Sequence, residues 1–171
     1  MNTQPTLKFA RIRDVKAPER GTEVAAGIDF FVPNDWNEGI PFELEPRCDL
    51  LIKSGIKASL PPGTMLMAAE KSGLATSGIA IRRAGMHPKA GNPEATLLVG
   101  AKIVDEDYQG EIGLHVVNAG CNPVLIYPGM KLVQFILTPV YYPILEEYDT
   151  PERMYTEVTE RGEGGFGSTG V

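Results

Sequence analysis

The stretch EIGLHVVN, residues 111–118, decides the fold class. Ile112, Leu114 and Val116 alternate with Glu111, Gly113 and His115. A period of two sends successive side chains to opposite faces, so this is a strand with one face in a core. Short apolar runs on either side repeat the theme: Leu7–Arg13, Ile28–Val32, Asp49–Ala58, Thr64–Glu70, Ala95–Val99, Val124–Tyr127 and Lys131–Val140. Gly, Pro or Asn bounds each of them, as in strands closed by turns. No window carries a helical stripe beyond about two turns. One short turn of helix is expected over Ser72–Ser77. About eight strands at this spacing predict an all-β jelly roll, sandwich or barrel with at most one short helix.

Composition agrees. Gly and Pro make 33 of 171 residues, about 19% against a usual share of about 12%. Hydrophobic residues at 43% suffice for a packed core, and the length fits one domain. The net charge of −6 argues against binding a nucleic-acid polymer, which needs clustered Lys and Arg. Two cysteines, Cys48 and Cys121, and two histidines supply neither a disulfide framework nor a zinc site. The opening MNTQPTLKFARIRD holds no signal-peptide run, and no segment nears 18 apolar residues. The expectation is a soluble cytoplasmic protein, with no membrane partner.

Three segments read as loops: the acidic Asn34–Pro46, the Pro- and Gly-rich Arg83–Glu94, and the polar stretch from Asp149 onward. Expected boundaries are a β domain over 1–148 and a mobile arm over 149–171.

Five constellations carry possible chemistry. The tail RGEGGFGSTG, residues 161–170, contains a G-x-G-x-x-G, but that fingerprint belongs between a strand and a helix, and only four residues follow it. It also resembles a P-loop without its Lys. Glycines let backbone N–H groups converge on an anion, Arg161 adds a phosphate ligand, and Phe166 can lie flat on a base. Composition alone favours a disordered Gly tail; the ordered mix of Arg, aromatic and hydroxyls favours one that a ligand orders. VDEDYQGE, residues 104–111, sets three acids and Tyr108 at a turn. It reads as a solvated hairpin, a general base or a cation site. EKSGLATSG, residues 70–78, combines Lys, hydroxyls and Gly after a strand, which suits phosphate or an ordinary loop. AAGIDF, residues 25–30, and GMKLVQF, residues 129–135, are weak alone.

In this order, the five resemble the motifs of the trimeric all-β dUTPases (deoxyuridine triphosphate nucleotidohydrolases). AAGIDFF is similar to motif I, KSGLA to motif II, VDEDYQGEI to motif III, GMKLVQFI to motif IV and RGEGGFGSTG to motif V. The resemblance runs from about Leu7 to Val171. It implies a jelly-roll subunit, a homotrimer with active sites shared between chains, and Mg²⁺-assisted hydrolysis of dUTP to dUMP and pyrophosphate by in-line attack of water on the α-phosphorus. By motif position, Asp105 would be the general base and Tyr108 would pack on the deoxyribose. Lys71, Ser72, Gly73, Lys131 and Gln134 would face the phosphates. Arg161, Gly167, Ser168 and Thr169 would close on the γ-phosphate, and Phe166 would stack on uracil. Asp29 would act on the metal side through water, with most Mg²⁺ ligands coming from the triphosphate.

The chain also departs from the family pattern. Lys71 and Lys131 stand where the family has Arg, which fits a bacterial or phage member; Lys binds phosphate as a point charge without the planar fork. Val99 stands where an Asn amide reads uracil, which leaves backbone groups around Val99, Ile103 and Val104 for that task. Rival readings are a relaxed dUTP/dCTP pyrophosphatase and a nucleotide-gated regulatory protein on the same fold. dCTP deamination on this fold uses a Glu-centred site and lacks the FGST tail, and zinc deamination lacks its H-x-E and C-x-x-C ligands.

Overall fold

A computed structural model describes residues 4–77, 96–155, 157 and 159–164. The segment 83–94 and the tail residues Phe166, Gly167, Ser168 and Thr169 lie outside the described residues. The described residues form twelve strands and two short α-helices, besides a single 3-10 turn at Trp36–Gly39. In chain order these are β1 (Lys8–Arg11), β2 (Glu19–Arg20), β3 (Gly27–Phe31), β4 (Phe42–Leu44), β5 (Asp49–Lys53), β6 (Ile56–Ser59), β7 (Thr64–Ala69), α1 (Ser72–Ser77), β8 (Leu97–Val99), β9 (Ile103–Val104), β10 (Gly113–Asn118), β11 (Val124–Ile126), β12 (Lys131–Pro139) and α2 (Pro151–Met154).

Four antiparallel sheets result: β2-β3-β12-β7-β9, β5-β10-β8, β1-β6 and β11-β4. One apolar cluster joins them, with Phe30, Leu66, Leu114, Ile126 and Phe135 nearly sealed from water. On β10, Leu114 and Val116 point into this core, and His115 does not, as the alternation requires. Asn118 continues the inward face although polar, and is fully buried. Its amide is satisfied by the carbonyls of Leu44 (2.9 Å) and Asn122 (2.8 Å), and its carbonyl accepts the Gly120 N–H (3.0 Å). Such pairing offsets the cost of burying an amide.

The run Asp49–Ala58 is two strands rather than one. Gly55 adopts φ +75°, Ser54 Oγ accepts the Ile56 N–H, and Glu111 accepts the Gly55 N–H at 2.7 Å. A residue at positive φ breaks the pleat, and Gly does so at no steric cost. The acidic loop over 34–46 contains β4. A second helix, α2, extends the expected single one. Thr150 precedes it and Pro151 opens it, where a missing N–H costs nothing.

The chain divides into two compact units, residues 1–141 and 142–171. The first holds all twelve strands. In the second, besides α2, Arg161 closes a turn: its Nε donates to the Gly164 carbonyl at 2.8 Å, and Gly162 takes φ +49°. No helix among the described residues is long and apolar enough to cross a membrane.

Candidate active site

Three of the five motifs meet on one face of the large sheet. Asp29 on β3 pairs in register with Gln134 on β12, and Gln134 pairs onward with Ala69 on β7. Directly opposed residues share a face. Lys131 reaches that face through an irregularity. It pairs with Phe31, yet Val133 pairs with Phe30, so Leu132 is an extra residue in β12. In a regular strand, residues three apart point to opposite sides. The bulge brings Lys131 and Gln134 to the same side, and bulges commonly re-aim a side chain in this way.

Asp29 is almost fully buried. One of its oxygens accepts from the Lys71 ammonium and the other from Lys131 at 3.0 Å. Lys131 also bonds Glu19 at 3.0 Å, and Glu19 bonds Lys16 at 2.8 Å. The ammoniums of Lys16 and Lys131 lie 4.6 and 5.6 Å from the centre of the Phe31 ring, a cation–π arrangement. Burial acts to raise the Asp29 carboxyl, but the Lys71 and Lys131 hydrogen bonds outweigh it and hold the group below its usual range. Glu19 first, and Asp29 next, push the Lys131 ammonium above its usual range. The face therefore holds both lysine side chains in place against Asp29.

Gln134 serves the backbone. Its Nε2 donates to the Glu70 carbonyl at 2.7 Å, which pins the chain just before Lys71 and α1. Gly27 makes room for it: a Cβ there would stand 2.1 Å from Gln134 Oε1. Ser72 and Gly73 are exposed at the start of α1, beside Lys71.

The acidic turn of motif III divides its labour. Glu106 accepts the Gly63 N–H at 2.8 Å and Glu111 accepts the Gly55 N–H, so both serve the backbone. Asp105 is exposed at the end of β9. Tyr108 is 43% exposed; its hydroxyl donates to the Glu111 carbonyl at 3.1 Å, and its ring covers Gly110. Val99 turns its side chain into the core and gives its N–H to Glu70 at 3.2 Å. Ile103 is exposed on β9, with Val104 half-buried behind it. The Val99 side chain is thus withdrawn from the surface of this segment.

Within one copy, Asp105 and Lys71 stand far apart. The register Leu66↔Val104 puts Asp105 beside the start of β7, and Lys71 follows its far end. Six residues of strand at about 3.4 Å each separate them by roughly 20 Å. One triphosphate cannot touch both.

Among the described residues no group of three His, Cys, Asp or Glu could hold a metal ion. Asp29 already has an ammonium on each oxygen. The described residues form no divalent cage of their own; a Mg²⁺ ion fits at Asp29 as a companion of phosphate oxygens, the usual mode for that ion.

The sequence profile of the dUTPase family matches residues 13–170. The deoxyuridine 5'-triphosphate nucleotidohydrolase of Mus musculus is 32% identical, over 96% of this chain and 85% of the mouse protein. The Homo sapiens mitochondrial protein of that name is 32% identical, and the match spans 54% of its length. The Rabbitpox virus protein is 31% identical, over 100% of this chain and 97% of the viral one. In fold, a Staphylococcus bacteriophage 80alpha dUTPase solved with dUpNHpp superposes with a TM-score of 0.72 at 21% identity, covering 97% of this chain and 99% of that one. A dUTPase from phage phi11 of S. aureus, described with a structural Mg(II) ion, superposes at 0.63 and 20% identity, covering 86% of this chain and 99% of that one. With its motifs I, II and IV gathered on one sheet face and its motif III turn at the other end of β7, this chain belongs to the dUTPase family.

Proposed function

We infer that the protein hydrolyses dUTP to dUMP and pyrophosphate, limiting uracil in DNA and supplying dUMP. The observation that carries this reading is the ammonium pair Lys71 and Lys131, held in place by Asp29 on a part-buried sheet face beside α1. Such a face is built to receive a polyanion. Asp105, exposed and with no side-chain partner among the described residues, orients a water and takes its proton. The water oxygen bonds to the α-phosphorus as the bond to the bridging oxygen breaks, and pyrophosphate departs. Lys71, Ser72, Gly73 and Lys131 bind the departing phosphates. Tyr108, braced on Gly110, packs against the deoxyribose, where a 2′-hydroxyl would clash. Arg161 and the tail beyond it close over the site, with Phe166 on the base. Mg²⁺ on the triphosphate supplies charge neutralisation.

The separation of Asp105 from Lys71 supports sites assembled from several copies, most simply a homotrimer. The second unit favours the same reading. Ile144 and Leu145 are more than nine-tenths exposed in a segment without secondary structure. Apolar side chains so displayed gain by lying on another copy. The free, exposed Cys48 and Cys121 suit a reducing cytoplasm.

The test is pyrophosphate release from dUTP, dCTP, dTTP and UTP, with and without Mg²⁺. Turnover of dUTP alone, dependent on Mg²⁺, is expected. Comparable turnover of dCTP would overturn uracil specificity in favour of the relaxed pyrophosphatase, and turnover of none would favour the regulatory protein.

A further inference from the structure

His115 clasps the connection between β8 and β9. Its Nδ1 lies 2.9 Å from the Ala101 nitrogen and its Nε2 lies 3.1 Å from Asp49 Oδ2. Its own carbonyl accepts the Gly100 N–H at 3.0 Å. The ring covers Gly100 so closely that a Cβ there would stand 2.4 Å from Nδ1. A backbone N–H only donates, so Nδ1 must carry a lone pair. The ring proton is then on Nε2 and points at the Asp49 carboxylate. Both ring nitrogens are thus assigned by their partners, in the neutral form.

We propose that His115 is a positioning residue for base selection. It acts through Gly100 and Ala101, which set the backbone of the segment from Val99 to Val104. The proposal rests on the reading of that segment as the one that faces the base. A second proton on the ring would turn Nδ1 into a donor facing another donor, and the clasp would open. The charged groups around the ring are Asp49 and, by register, Lys53 of β5, and Lys102 of the segment itself, which pairs with Glu70 at 3.7 Å.

The experiment compares the full-length wild type with His115→Phe, which keeps a ring without an acceptor, and His115→Asn, whose side-chain carbonyl can still accept. Hydrogen exchange of the Ala101 amide is followed near neutral pH. Steady-state kinetics with dUTP are measured alongside. In His115→Phe the Ala101 amide should exchange about tenfold faster and KM should rise about tenfold, the scale of one lost hydrogen bond, with kcat within about twofold. His115→Asn should recover most of the affinity. An equally protected Ala101 amide in His115→Phe overturns the clasp. Wild-type turnover of dUTP with an unchanged KM in His115→Phe overturns the positioning role and leaves the proposed function standing. Absence of dUTP turnover in the wild type overturns the proposed function, and the positioning role with it.

Discussion

Asp29 and Lys131 face each other across β3 and β12 at 3.0 Å, and the second Asp29 oxygen holds Lys71. One buried carboxylate thus spaces two cations from distant parts of the sequence. Without it, the ammoniums would repel each other and turn toward solvent.

Replacing Asp29 by Asn should therefore lower both stability and affinity. The loss should be about 1–3 kcal/mol, the range for hydrogen bonds to a charged group. The sign with pH follows from the lowered Asp29 carboxyl. Stabilisation by a depressed acid is fully present above its unfolded value, about 3.9, and fades as pH falls through the folded value. Melting curves of wild type and Asp29→Asn should differ by a constant amount near neutrality and converge only in strong acid. Convergence already at pH 6 would contradict the pairing.

Asp105→Asn should cut kcat by about 10²–10⁴, the usual contribution of a general base. Binding of a non-hydrolysable dUTP analogue, read by calorimetry, should stay within about threefold, because the amide keeps the shape of the side chain. Full turnover in the variant would remove Asp105 from the chemistry.

Gly27→Ala and Gln134→Ala should act through one bond. The alanine methyl at 27 would displace the Gln134 amide from the Glu70 carbonyl. Each variant should raise KM by about tenfold, and the double variant by little more, since residues acting through a shared contact are not additive. Kinetics of the three variants check this. A fully additive double variant would show that the two positions act independently.

Much of this site is legible in the sequence, and the unread parts have physical causes. The alternation of residues 111–118 gives β10 directly, and Ser72–Ser77 forms the short helix expected of it. Asp49–Ala58 looks continuous because its apolar residues run on past Gly55, whereas a positive φ there starts a second strand. The bulge at Leu132 leaves no mark in composition, so a regular reading sends Lys131 and Gln134 to opposite faces. Glu106 and Glu111 look equivalent to Asp105 in sequence; only their backbone partners, Gly63 and Gly55, set them apart. His115 escapes notice for a similar reason: its main partner is a backbone N–H from the connection between β8 and β9. The segment 83–94 and Phe166 to Thr169 lie outside the described residues.

The central claim is that one working site draws Asp105 from one copy and Lys71 from another. Asp105→Asn and Lys71→Ala should each be nearly inactive alone. Co-expressed with a different tag on each variant and purified through both tags, the mixed trimers should recover activity. In a cyclic trimer about one site in three then unites an intact Asp105 with an intact Lys71. Pyrophosphate release from dUTP at about a third of the wild-type rate is the predicted result. Mixed oligomers as inactive as their parents would contradict the claim and place the whole site within a single copy.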